Sequence, residues 1–178
     1  PFVPKAIIGA ITVPATFLEL AALIMGFVLA GRVGARIAAE LATMRVSDQI
    51  DALDVMGVSS AGFLIVPRVL AAALTFPVVY VVACGVAIGG ALAVGVGGGF
   101  VTPVDFWLGA RSFFEPFHAW FGFIKAIVFG VLITSIACYK GMNARGGAEG
   151  VGQATTQAAV TACVWLLLAD FALAVILL

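Results

Sequence analysis

The sequence predicts an all-α polytopic membrane protein, a bundle of about four transmembrane helices, and three observations carry that prediction. Of the 178 residues, 63% are hydrophobic and 10% are charged, whereas a soluble domain carries about 25% charged and roughly 45–50% apolar residues. The mean hydropathy is +1.22. Four stretches reach the roughly 20 apolar residues that a helix needs to cross a bilayer. Nine basic and nine acidic residues give a net charge of zero, so there is no electrostatic footprint for nucleic acid.

The first stretch covers about residues 6–30 and is interrupted by Pro14 and Glu19; the second covers 63–96, with Pro67 and Pro77 as kink points. The third covers 119–139 and contains Lys125; the fourth covers 154–178 and contains Asp170. Helices are required because lipid offers no partner to backbone N–H and C=O groups. Gly85 and Gly89 in the second span have the small-xxx-small spacing that lets helices approach closely. The chain opens at Pro1 without a Met or a basic n-region, so its opening run reads as a span of a processed or N-terminally incomplete chain, not as a signal peptide.

Orientation follows from Lys and Arg in the short loops. Arg32, Arg36 and Arg45 precede the second span, Arg68 lies near its start, and Lys140 and Arg145 follow the third span. The connection between Gly97 and His118 holds only Arg111, beside Asp105 and Glu115. The two basic connections are therefore predicted to be cytoplasmic, with the 97–118 connection and Leu178 outside.

The segment 32–58 differs from the rest. Val46, Ile50, Leu53 and Gly57 follow the spacing of one helix face, with Asp48, Asp51 and Asp54 elsewhere on it. This predicts a short amphipathic cytoplasmic helix over about Arg45–Gly57, started by Ser47 and ended by Gly57. Its three aspartates would be repelled by anionic lipid, which favours a protein partner over the membrane surface.

No enzyme constellation is found, and no catalytic residue is assigned. The glycines at 147, 150 and 152 and the cluster at 95–99 lack the Lys-Ser/Thr of a phosphate-binding loop. Ser59 and Ser60 have no nearby base. Cys84, Cys138 and Cys163 are far apart inside apolar runs and His118 is the single histidine, so no metal or cofactor is assigned to this chain.

The run from Ala30 to Val58, AGRVGARIAAELATMRVSDQIDALDVMGV, closely resembles the signature of the MlaE/YrbE permease family. So do VPRVL at 66–70, KGMNARGGAEGVGQATT at 140–156, and the closing Asp170-Phe171. The likeness makes the chain a single permease domain over 1–178, without the interfacial helix and further span that the family has ahead of this region. Where members often have Arg-Glu-Leu-Gly-Pro, this chain reads Leu18-Glu-Leu-Ala-Ala22, keeping the acid and replacing its neighbours. The resemblance implies the membrane subunit of an ABC transporter that moves phospholipid or related lipid between membranes. It implies a second copy of the chain, a cytoplasmic ATPase dimer that holds ATP and Mg, an outer MCE-domain protein and a small STAS-type regulator. The location implied is the bacterial inner membrane, or the chloroplast inner envelope in plant relatives. A membrane-embedded lipid-modifying enzyme and a secondary transporter are the competing readings; the first would need ionisable residues grouped at one depth, the second inverted repeats.

Three groups of residues are assigned roles. Glu40, Arg45, Asp48 and Asp51 are the candidate contacts to the ATPase. Lys125 and Asp170 both fall in the outer half of the bilayer in antiparallel spans, which predicts an ion pair. Glu19 lies about 18 Å of helix from Gly31 with no basic residue expected at its depth. It is either a protonated carboxyl bonded to a neighbouring helix or a polar point in a lipid cavity walled by Leu20, Leu23 and Ile24; the family likeness favours the cavity.

Overall fold

The computed structural model describes residues 6–177, and among them regular structure is helical, with no strand. The elements are α1 (Ile7–Val46), α2 (Gln49–Val55), α3 (Ala61–Gly97), α4 (Pro103–Ser112), α5 (Pro116–Met142) and α6 (Gly147–Leu177). Helices α1, α3, α5 and α6 are long and apolar enough to cross a membrane, as the four expected spans require. The expected outer position of Leu178 lies outside the described residues.

The first span does not stop at Ala30. It runs on as helix to Val46, because residues 35–46 are rich in Ala, Leu, Met, Arg and Glu, all strong helix formers. Wide π-helical turns at Thr16–Leu20 and Ala30–Gly34 interrupt the α geometry, and a third, Ala61–Ile65, opens α3. The amphipathic helix is correspondingly shorter than expected, seven residues from Gln49 to Val55. Ser47 does not start it. Its hydroxyl donates back to the Thr43 carbonyl at 2.8 Å and so closes α1. Asp48 makes the break in the left-handed region at φ 59°, a conformation that Asp tolerates better than most side chains. Gly57, at φ 76°, ends α2 as expected. The Val58 N–H reaches the Leu53 carbonyl and the Gly57 N–H the Asp54 carbonyl, the paired bonds of a Schellman cap.

A second correction concerns the connection 97–118, read as loop. It contains α4, whose start is written in the sequence: the Thr102 hydroxyl accepts from the Asp105 N–H at 3.2 Å, and Pro103 occupies the first turn. Pro77 sits inside α3 without ending it. A Cβ placed on Gly85 or Gly89 would meet no atom within 4 Å, so this small-residue stripe makes no close helix contact among the described residues.

By internal packing the chain divides into two units. Of the described residues, the first comprises 6–25 and 77–125. Here α4 lies against α1, with Val13, Val101, Phe106 and Ala110 forming the core. Gly9 and Gly109 make that approach possible, since a Cβ on Gly9 would overlap the Phe106 carbonyl and one on Gly109 the Ala6 carbonyl. The second unit comprises 26–76 and 126–177. In it α1 packs along α6 through an alanine seam that includes Ala38, Ala42, Ala154 and Ala158. Ile50 of α2 is buried with Leu41, Leu64 and Cys138, and Leu53 packs against the same cluster, which anchors the short helix.

Candidate functional site

The first unit holds a charged centre inside its apolar helices. Lys125 is completely buried, and its Nζ lies 2.9 Å from Glu19 Oε1, with the Glu19 side chain 39% exposed. The same ammonium donates to the Leu18 carbonyl at 3.0 Å and lies 4.6 Å from the centroid of the Phe121 ring. An isolated ammonium in apolar surroundings is costly; a carboxylate, a carbonyl and a ring face together replace its water.

Each partner is placed by a local feature of the sequence. Pro14 precedes the wide turn Thr16–Leu20, where the Ala21 N–H reaches back five residues to the Thr16 carbonyl. Such a turn loosens the regular bonding of nearby carbonyls, and here two of them accept side-chain donors from other helices. The Tyr80 hydroxyl donates to the Phe17 carbonyl at 2.8 Å, and Lys125 takes that of Leu18. Gly122, three residues before Lys125 on α5, allows the approach, because a Cβ there would overlap the Tyr80 hydroxyl.

This corrects the reading that no base reaches the depth of Glu19. Lys125 does, because α5 begins at Pro116 and not at residue 119, placing Lys125 nine residues, roughly 14 Å of rise, inside the helix. Asp170, the residue to which Lys125 was assigned, lies in α6 within the second unit. Of the predicted wall residues, Leu23 lies one turn beyond Glu19 on α1 and is half-buried, whereas Leu20 and Ile24 lie on the adjoining face and are 50% and 61% exposed. They do not line the apolar cleft of about 560 Å³ in this unit that is bounded by Phe17, Tyr80, Cys84, Ile88, Phe114 and Trp120 among others. Phe17 and Phe114 meet edge-to-face across it at 5.6 Å. Tyr80, Gly122 and the cleft were not singled out from sequence. The available signal was the Gly122–Lys125 spacing, which puts both on one face of α5.

The second unit holds the residues assigned to ATPase contact. Glu40 is engaged within the chain, 3.0 Å from Arg36 Nε and 3.6 Å from Arg68 Nη2. Arg45 and Asp51 pair with each other. Asp48 stands at the left-handed break, and the Asp54 carboxylate accepts from the Ser60 N–H at 3.3 Å. The charges of this segment thus brace α1, α2 and α3, while Val55 and Met56 at the end of α2 are 88% and 68% exposed.

Residues 1–176 match the family model described as Permease MlaE. A probable ABC transporter permease protein of Rickettsia prowazekii is 38% identical over 153 residues, 86% of this chain and 59% of the relative. A chloroplastic protein of Arabidopsis thaliana, TRIGALACTOSYLDIACYLGLYCEROL 1, is 38% identical over 168 residues, 93% of this chain and 47% of its own length. The intermembrane phospholipid transport system permease protein MlaE of Haemophilus influenzae is 32% identical over 160 residues, covering 89% and 61%. The chain spans about three-fifths of the length of most of the curated relatives it matches.

Proposed function

The chain belongs to the MlaE permease family, and from that premise we propose that it is the membrane subunit of an ABC transporter moving phospholipid or related lipid between membranes. The observation that carries the reading is the buried Lys125 ammonium pinned to a part-exposed Glu19 carboxylate on an otherwise apolar helix face. A charge held at membrane depth is costly and faces a bundle interior or a wet cavity. Glu19, with Leu20, Leu23 and Ile24 beside it, gives an amphiphilic lipid both a polar contact and an apolar wall. The chemistry is conformational: this chain supplies the path, and hydrolysis belongs to a separate ATPase dimer that holds ATP and Mg.

The α2 segment is the contact to that ATPase. Its bare Val55 and Met56 supply apolar anchors, Asp48 sets the angle at which α2 leaves α1, and the Arg45–Asp51 pair stiffens the corner. A second copy of the chain completes the lipid path, an MCE-domain protein takes the outer side, and a STAS-type subunit regulates the ATPase. The membrane is the bacterial inner one.

The test is reconstitution. The chain is co-expressed with its ATPase, placed in proteoliposomes, and the movement of a fluorescent phospholipid is followed. ATP-dependent movement is expected, with hydrolysis only in the presence of both subunits. Reversing Asp48 and Asp51 to Lys should release the ATPase in a pull-down. Lipid movement driven by an ion gradient without ATP, or chemical conversion of lipid by the chain alone, would overturn the reading in favour of a secondary transporter or an enzyme.

A further inference from the structure

Helix α4 has ten residues, about 15 Å, half of what a bilayer crossing needs. One side, Phe106, Gly109 and Ala110, is buried against α1. The other side, Val104, Trp107, Leu108 and Arg111, follows the i, i+3, i+4, i+7 spacing of a single face and is exposed. Two apolar clefts meet on this face. One, about 400 Å³, is lined by Val13, Phe17, Ile88 and Phe114 together with Trp107 and Arg111; the other, about 510 Å³, by Pro103, Val104 and Leu108 together with the same two residues.

Arg111 is the single cation between Gly97 and His118, and it carries no hydrogen bond or ion pair among the described residues. The acids nearest in sequence are occupied. Asp105 Oδ2 accepts from the Thr102 hydroxyl at 2.7 Å, and Glu115 lies 3.9 Å from His118 Nε2. The cleft beneath Arg111 is not a surface dimple. Ile88, which lines it, lies nine residues before the end of α3, roughly 14 Å of rise into a membrane-crossing helix.

We propose that Arg111 and Trp107 form a phospholipid site, the guanidinium holding the headgroup phosphate and the two clefts taking acyl chain. The guanidinium fork matches phosphate geometry, and an indole places its N–H at headgroup level with its ring among acyl chains. Charge complementarity selects a phosphate-bearing lipid over a neutral one. The cleft that Val13 and Phe17 of α1 and Ile88 of α3 line runs alongside two membrane-crossing helices, which selects lipid over a protein segment. The proposal rests on the lipid-transport reading and names a headgroup contact for it, separate from Glu19.

Its test does not depend on transport. In the full chain carrying W120F and W165F, Trp107 is the one remaining tryptophan, and its fluorescence in nanodiscs reports acyl chains brominated near the headgroup. Brominated phosphatidylglycerol should quench it at low mole fraction, and the matching brominated diacylglycerol should not. Arg111→Gln should weaken the apparent affinity for phosphatidylglycerol about tenfold, the loss of one charge-assisted hydrogen bond, and Arg111→Lys should restore part of it. Equal quenching by diacylglycerol, no effect of Arg111→Gln, or a crosslinker at Leu108 capturing protein in preference to lipid would each overturn the site. Failure of the transport reading shows elsewhere, as wild-type proteoliposomes that move no phospholipid.

Discussion

Removing the Glu19 carboxylate takes the one carboxylate 2.9 Å from Nζ away from a fully buried Lys125 ammonium that the Leu18 carbonyl and the Phe121 ring also contact. Breaking a buried pair from one side costs about 3–5 kcal/mol, and a charged Lys at the centre of a spanning helix costs roughly 2.5–3.5 kcal/mol on insertion scales. Because Glu19 is two-fifths exposed, part of its interaction is screened, and about 3 kcal/mol is expected for Glu19→Leu. Lys125→Met removes the ammonium and leaves a carboxylate that can hydrate, so about 1–2 kcal/mol is expected there. Once Lys125 is gone there is no orphaned charge, so the double variant should lie well below the sum, with a coupling energy of about 1–2 kcal/mol. Glu19→Gln keeps an acceptor for Nζ and should fall between wild type and Glu19→Leu. The assay is reversible unfolding of the wild type and the four variants in mixed micelles, followed by circular dichroism. Additivity of the two single variants, or a cost for Glu19→Leu below about 0.5 kcal/mol, would refute the argument that the ammonium depends on this carboxylate. Lipid transport measured on the same set separates a holding role from a path role. If transport follows stability alone, Glu19 is structural.

Three further outcomes follow from the same geometry. Gly122→Ala should lower stability by about 1–3 kcal/mol, because its Cβ overlaps the Tyr80 hydroxyl, and Tyr80→Phe in the same background should recover part of the loss in an unfolding titration. Asp48→Gly should leave stability and ATPase pull-down unchanged or improved, whereas Asp48→Val should cost about 1–2 kcal/mol and weaken the pull-down, since a β-branched residue resists φ 59°. Gly109→Leu should detach α4 from α1, which cysteine accessibility at position 106 would register as exposure of a site that is now fully buried.

The four spans were legible because composition alone forces them, and Gly57 was legible because a cap has a local signature. The end of the first span was not. The apolar run stops near Ala30, but nothing between Gly31 and Val46 breaks a helix, so hydropathy marks a membrane boundary and not a helix boundary. The Ser47 reading failed for a related reason. Serine closes a helix by bonding backward as readily as it opens one, and the choice is made by Asp48 turning left-handed beside it. Helix α4 is announced by Thr102-Pro103 and Asp105, but neither the hydropathy nor the charge of the 97–118 connection marks a helix of ten residues. At the site, the depth of Glu19 and the need for a partner were readable, but the identity of the partner depended on where α5 begins, a matter of three residues.

That dependence has a physical origin in the wide turn at Thr16–Leu20. A regular α-helix commits the carbonyls of residues 17 and 18 to its own N–H groups and leaves each only a second lone pair; here both carbonyls are met by side chains, one from Tyr80 and one from Lys125. The turn therefore couples backbone conformation to side-chain identity on α3 and α5. Lys125 serves the backbone through Leu18 and the charge balance through Glu19 at once, so straightening this turn into α geometry would draw the Leu18 carbonyl back toward its own helix and weaken the hold on the ammonium. For the lipid-path role proposed for Glu19 this arrangement has a consequence: the cost of moving its carboxylate is shared with a backbone segment that already has a second way to bond.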